Sequence, residues 1–233
     1  MFYNMRVEKR SLKEGAGQAK GLVVVIDVFR AFSLACYVFS NGAERVYPVD
    51  TIEKALKMKH EEPSFIAIGE RQERKYPGFD YGNSPTHIEK VDFREKVVVH
   101  TTSSGTQGIA LATHAEEILT GSFVNADAIV RYIQSKNPEL VTLVPMGYEG
   151  IRQTDEDEFC ADYIATRLNG DNPDFNAMVE ALRTGDGARL LDPANHEFSP
   201  ARDFDLCLDL NRFNFVLRVN REKSPFFLER IDC

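Results

Sequence analysis

The sequence is poor in the signatures that would assign it quickly. Its four cysteines, Cys36, Cys160, Cys207 and Cys233, lie far apart with no CxxC pair. This removes the common zinc and redox motifs, and in a chain of 233 residues it argues against a disulfide framework. No apolar run approaches the roughly 20 residues that span a bilayer. The longest, Leu22–Val28, is interrupted by Asp27 and followed by Arg30. The stretch Met1–Ser11 lacks the basic-then-apolar order of a signal peptide. Positive charge is not in excess either: 28 Lys and Arg face 36 Asp and Glu, a net charge of -8. A general nucleic-acid binder needs a basic face and is excluded. A small phosphorylated molecule is not, because a few local arginines can outweigh a distant acidic surface. There is no Walker A loop, no GxGxxG and no GxSxG elbow. The five histidines, His60, His87, His100, His114 and His196, show no ligand spacing. The expectation is a reduced, cytoplasmic protein with neither nucleic acid nor membrane as partner.

What is present is a strand–helix alternation. Six short runs rich in Val and Ile read as buried strands: Leu22–Asp27, Arg45–Val49, Ser64–Gly69, Lys96–Thr101, Glu117–Gly121 and Leu140–Met146. They show little period-two alternation, as strands covered on both faces do. Helical patterns lie between them at Ala31–Ser40, from a capping box Asp50-Thr-Ile-Glu53 to about Lys59, at Gly105–His114, at Ala126–Ser135, and at Asp155–Leu168 behind Thr154. This order predicts an α/β fold with mostly parallel sheets and flanking helices. Residues 22–70 and 96–150 can be laid over one another, Val23 on Val97 and Ala43 on Ala115, as two similar β-α-β-α-β halves. One domain over 1–233 is expected, with a C-terminal addition at about 170–233 that holds a helix at Asn172–Thr184, a late helix at Asp203–Asp209 and an edge strand at Phe213–Asn220. Arg71–Phe93 breaks the rhythm, and a connection of that length is functional or disordered.

The polar residues that could carry chemistry fall just after the strands. Asp27 ends an apolar run, where a carboxylate must be solvated, paired, bound to a metal or used as a helix cap. Arg30 in a first helical turn opposes the helix dipole, which a nearby anion would explain. Thr101-Thr102-Ser103-Ser104-Gly105-Thr106 is a hydroxyl-rich turn into a helix, readable as an anion cradle or as plain capping. Glu70-Arg71 is a site pair or a surface ion pair. Ser122 and Asn125 follow the fifth strand, and Asn125 stands where an N-cap belongs. Glu149 lies between Gly147 and Gly150, and Asp157 is the N3 residue of its helix. Hard oxygen ligands suit Mg²⁺, and arginine suits phosphate.

The ordered series VVIDVFRA, NGAERVYPV, IGER, GFDYGNSP, TTSSGT, GSFVNA, GYEG and EDEFCA resembles the 2-phosphosulfolactate phosphatases, and the tail DFDLCLDLNRFNFV is similar to the end of that family. GFDYGNSP, Gly78–Pro85, is the most specific element. The resemblance implies intertwined α/β halves and a Mg²⁺-dependent phosphatase acting on phosphosulfolactate, a coenzyme M precursor. It implies a catalytic set of Asp27, Arg30, Glu70, Arg71 and Glu149. Substrate would be bound by Asn83, Ser84, Thr101, Thr102, Gly105, Thr106, Ser122 and Asn125, and the metal by Asp27, Glu70 and Asp157. A homodimer stays open. Two departures fall where substrate should sit: Gln72-Glu73 replace a Gly-Gly pair, and Ser104 stands where the family often has Asn. Asp27 is followed by Val28-Phe29, so the Asp-x-Asp of haloacid-type phosphatases is missing and Asp27 reads as a metal ligand rather than a nucleophile. The alternatives are a phosphatase of another small phosphorylated acid and a non-catalytic anion-binding protein.

Overall fold

The computed structural model describes residues 5–233; the first four, part of the N-terminal stretch read above, lie outside them. The chain opens with a strand the sequence reading missed, β1 (Arg6–Lys9), and a short helix α1 (Leu12–Gln18). Then follow β2 (Gly21–Ile26), α2 (Ala31–Ser40), β3 (Arg45–Pro48), α3 (Ile52–Glu61) and β4 (Ile66–Arg71). The irregular 71–93 stretch holds a two-residue strand β5 (Arg74–Lys75) and one helical turn α4 (Pro85–Ile88). After it come β6 (Val97–Thr101), α5 (Gly105–Leu111), β7 (Ala115–Gly121), α6 (Ala126–Lys136), β8 (Leu140–Pro145) and α7 (Asp155–Leu168). The tail supplies α8 (Phe175–Thr184), α9 (Ala188–Leu191), α10 (Arg202–Cys207), β9 (Phe215–Asn220) and β10 (Phe227–Asp232). All six expected strands are there. The cap of α3 is corrected by one residue: the Thr51 hydroxyl accepts from Lys54 N–H at 3.2 Å, while Asp50 pairs with the Lys54 ammonium at 2.6 Å. All four cysteines are free, and no described helix is long and apolar enough to cross a membrane.

The strands form one sheet in the order β1-β8-β2-β7-β9-β10-β3-β6-β4-β5. β2 lies between β8 and β7, and β6 between β3 and β4, all parallel. In each β-α-β-α-β unit, then, the first strand pairs with the second and third strands of the other unit. The α/β class stands, with the two units intertwined. The β9–β10 hairpin joins the blocks by three antiparallel pairings, so β7 and β3 point in opposite directions. Five strand steps separate β2 from β6. At roughly 20–25° of twist per step, their axes turn well away from opposition, and their carboxyl ends can meet.

The expected edge strand is a correction. β9 sits inside the sheet, between β7 and β10, and β10 was missed. Phe-Leu-Glu-Arg-Ile-Asp, the sequence of β10, mixes charge with apolar residues because only Leu228 is fully buried. Local pattern says which side chains are covered, not which strand edges have neighbours.

The sheet curls around α2. Nine of its ten residues are buried. Val23 and Val25 of β2, Leu217 and Val219 of β9, Leu228 of β10, Val46 of β3, Val98 of β6 and Ile68 of β4 share one apolar cluster with it. This explains why α2 reads as apolar all round. The opposite face of the first block, with Val24, Ile26, Leu119 and Val141, packs under α6, α7 and α10. The opposite face of the second block, with Ala67 and Val99, packs under α3. Each fully buried Val, Leu, Ile or Phe adds about 1.5–3 kcal/mol. With β2 and β6 covered on both faces, polar groups are left at their carboxyl ends.

Candidate active site

Those ends line a small cleft, with about 40 Å³ of space for water-sized groups. Its walls bring together Asp27 from β2, Glu70 from β4, Asn83 from the 71–93 stretch, Thr102–Ser104 from β6 and Gly147–Glu149 from β8. Arg30 and Arg189 also face it, as do Gln72 and Glu73. Asp27, Glu70, Glu73 and Glu149 therefore confront two guanidiniums.

Three buried carboxylates stitch the strand-end loops together, each between two main-chain N–H groups. Asp27 accepts from Ala31 N at 3.0 Å and Gly105 N at 2.8 Å, capping α2 and α5 at once. Glu70 accepts from Ser103 N at 2.7 Å and Glu73 N at 2.9 Å. Asp157 accepts from Val28 N at 2.7 Å and Gly147 N at 2.8 Å. The Thr101–Thr106 turn is thus an anion cradle, as one reading of it had it, but the anions it holds are the protein's own. Gly105 permits this approach: a Cβ there would lie 2.8 Å from Asp27 Oδ2 and 3.0 Å from Phe32. Gly147 is equally constrained, with φ +62° and a Cβ position 2.1 Å from Arg152 O.

Burial raises the pKa of Asp27 to about 6, and the charges of Glu70 and Glu156 add to it against the two N–H groups. Burial, then Asp27 and Glu156, raise Asp157 well above the usual carboxylate range. Asp157 does not line the cleft; expected as a metal ligand, it lies behind Asp27 and holds the β2 and β8 loops. Among the described residues no group of three or more His, Cys, Asp or Glu side chains could hold a metal ion by itself.

The anion near Arg30 is Asp203. Arg30 Nη1 lies 2.7 Å from Asp203 Oδ2 with the two side chains 4% and 0% exposed, and it also donates to Phe198 O at 2.9 Å. Ser84 Oγ and Thr86 N donate to Asp203 at 2.8 and 3.0 Å. Ser84, expected at substrate, therefore positions Asp203. Arg189 donates to Glu156 at 2.6 Å, Glu73 at 3.2 Å and Asp186 O at 2.6 Å. Burial works against its charge, but Glu156 and Glu73 outweigh it and hold the guanidinium protonated. Arg189, Asp203, Glu73 and Tyr148 were missed as site residues. Only the Gln72-Glu73 departure hinted at one of them, because α9 and α10 carry no motif spacing.

Other candidates fall outside the cleft or, like Thr102, line it while bonded within the protein. Arg71 donates to Glu70 O and to Thr101 Oγ1, and lines a neighbouring groove with Glu149. Thr102 and Thr106 lock each other: Thr102 N donates to Thr106 Oγ1 at 2.9 Å and Thr106 N to Thr102 Oγ1 at 3.2 Å. Ser122 shares a 2.9 Å hydrogen bond with Ser33 and accepts from Val124 N. Asn125 donates to Phe215 O at 3.3 Å, with no cap bond of its own. Neither Ser122 nor Asn125 lines the cleft.

The family model for 2-phosphosulpholactate phosphatase matches residues 8–222. The chain belongs to this family. A Thermotoga petrophila protein named "Probable 2-phosphosulfolactate phosphatase" is 42% identical over 166 residues, 71% of this chain and 66% of that protein. A protein of the same name from Carboxydothermus hydrogenoformans is 31% identical over 217 residues, 89% of this chain and 90% of that one. One from Caldanaerobacter subterraneus is 29% identical over 215 residues, 84% and 87% respectively. The match to the first spans just under two thirds of its length; the matches to the other two are nearly end to end. Membership places the chain in a family of phosphatases.

Proposed function

We propose that the chain hydrolyses 2-phosphosulfolactate to sulfolactate and phosphate with the help of Mg²⁺, the reaction type the resemblance links to coenzyme M synthesis. The observation that carries this is the filled cradle. Asp27 and Glu70 take the Gly105 and Ser103 N–H groups of the Thr101–Thr106 turn, two donors that could otherwise meet an incoming anion. Both guanidiniums of the cleft are engaged by protein carboxylates. A phosphate dianion entering such a cleft needs a cation with it.

Asp27 and Glu70 fit that cation. Both Asp27 oxygens and Glu70 Oε1 keep a second lone pair after their main-chain hydrogen bonds, and the Glu70 and Glu156 charges, which add to the effect of burial on Asp27, are ones a cation would offset. Mg²⁺ is commonly held by one or two carboxylates together with substrate phosphate rather than by an all-protein cage. When bound, the ion would neutralise phosphoryl oxygens and make a bound water more acidic. The chain's own residues do the rest. The Gly147–Glu149 loop and Ser103 shape the mouth. Arg30, fixed by Asp203, adds positive field beside the phosphate. Glu149, on the rim, is placed to take a proton from an approaching water.

A second reading keeps the chemistry and changes the substrate. Gln72 and Glu73 line the cleft, and Glu73 adds a carboxylate that a glycine would not. Phosphate release from 2-phosphosulfolactate, phospholactate and phosphoglycolate, with Mg²⁺ and with chelator, tests both. Turnover of phosphosulfolactate above the other two, abolished by chelator, is the expected result. Equal or lower turnover of phosphosulfolactate would move the chain to another phosphorylated acid. Phosphate release from none of them would leave an anion-binding protein.

A further inference from the structure

His100 lies on β6, 1% exposed, and has no part in the reaction described above. Its Nε2 is 3.1 Å from Asn83 Oδ1, and its Nδ1 is buried without a partner. Burial lowers its pKa to about 4, so near neutral pH the ring is uncharged and one nitrogen carries the proton. Two arrangements differ in cost. With the proton on Nδ1, a buried N–H is orphaned and Asn83 must turn its NH₂ toward a bare Nε2. With the proton on Nε2, the ring donates to Asn83 Oδ1 and only a lone pair at Nδ1 goes unused. Orphaned buried donors are rarer than under-used acceptors, which favours the second. Asn83 lines the cleft, and its Nδ2 has no partner among the described residues and is not sealed from the cleft. Held this way, the amide offers the cleft donors and no acceptor.

We infer that His100 is a positioning residue, which donates from Nε2 to Asn83 Oδ1 and so fixes the Asn83 amide with its Nδ2 hydrogens toward an anionic oxygen of the substrate. The inference rests on the phosphatase reading for the identity of that oxygen. Its physical basis is availability: the guanidiniums and the Ser103 and Gly105 N–H groups are taken by protein carboxylates, whereas the Asn83 Nδ2 donor has no partner among the described residues.

The ¹⁵N spectrum of histidine-labelled protein tests the tautomer directly. His100 protonated on Nε2 is expected; protonation on Nδ1 overturns the inference whatever the substrate. Kinetics and calorimetric binding of inorganic phosphate test the consequence. His100→Gln keeps a donor for Asn83 Oδ1 and should hold KM and phosphate affinity within about threefold. His100→Leu removes the donor and should raise KM and weaken phosphate binding about tenfold, the worth of one hydrogen bond to a charged group, with kcat changed less than about threefold. Asn83→Ala should match His100→Leu, and the double variant should be no worse than either. Equal losses in the Gln and Leu variants, or a fall in kcat with KM unchanged, would overturn the inference. If the native chain releases phosphate from no monoester, the phosphatase reading fails alone, and the tautomer and phosphate binding still decide this one.

Discussion

Two clusters of polar side chains sit at strand ends, and they have opposite fates. The cluster after β2, β4 and β6 opens onto the cleft with Asp27, Glu70 and Ser103. The cluster after β7, with Ser122 and Asn125, is sealed. The difference comes from the tail. β9 pairs antiparallel with β7, and the residues before it, Asn211 and Phe213, bond the carbonyls of Phe123 and Val124. The same segment, through Arg189 and Asp203, only borders the first cluster. A hydroxyl or amide after a parallel strand is therefore a candidate ligand until the chain's own tail takes the place of the ligand.

The sharpest break in this comparison is Asp27→Asn. Phosphate release should fall on the order of 10²–10³, as when a key electrostatic contact in a site is removed. The charge also sets a pH dependence. In the metal-free protein the proton competes with the cation on Asp27, so Mg²⁺ binding should weaken as pH falls through about 6. The stability sign is opposite. The folded pKa lies above the unfolded value, so the folded chain holds an extra proton between about pH 4 and 6 and gains stability as pH falls through that window. Mg²⁺ calorimetry from pH 5 to 8 checks the first statement and thermal melts without metal the second.

Ser122→Ala tests the sealed cluster. It should cost about 1 kcal/mol of stability, the loss of a buried hydrogen bond to Ser33, and leave kcat/KM within about twofold. A tenfold fall in kcat/KM at unchanged melting temperature would return Ser122 to the site. The smallest effect is expected at the β4–β5 turn. Gln72 and Glu73 have φ of 52° and 63°, the two left-handed positions of a tight hairpin between Arg71 and Arg74. Gln72→Gly should raise stability by about 0.5–1 kcal/mol, the left-handed cost less the entropy of glycine, in denaturant melts.

Much of the fold was legible in the sequence because both signals are local. Val-rich runs marked β2, β6 and β8, and Thr154 to Leu168 marked α7 to the residue. β1, Arg-Val-Glu-Lys, is charged at all but one position and so did not stand out as an apolar run. β10 hid behind Glu229, which pairs with Arg218, and the exposed Arg230. Of the site, Asp27, Arg30, Glu70, Asn83, Thr102 and Glu149 were named from position and resemblance, and they line one cleft. Ser84, Ser122, Asn125 and Asp157 were named the same way and are spent on protein partners instead. Arg189 and Asp203 were invisible, since a guanidinium that meets Glu156 or a carboxylate that meets Arg30 leaves no trace in spacing.

By itself, then, the sequence determined the α/β alternation, the apolar strands with polar ends, and the family, because each depends on residues close together in the chain. Which strand ends share a cleft depends on a sheet whose two intertwined units are joined by the β9–β10 hairpin and turned toward each other by twist. Only that tertiary arrangement sets Asp27 against Gly105 and Glu70 against Ser103, and so fills with the protein's own carboxylates a turn that could have bound an anion.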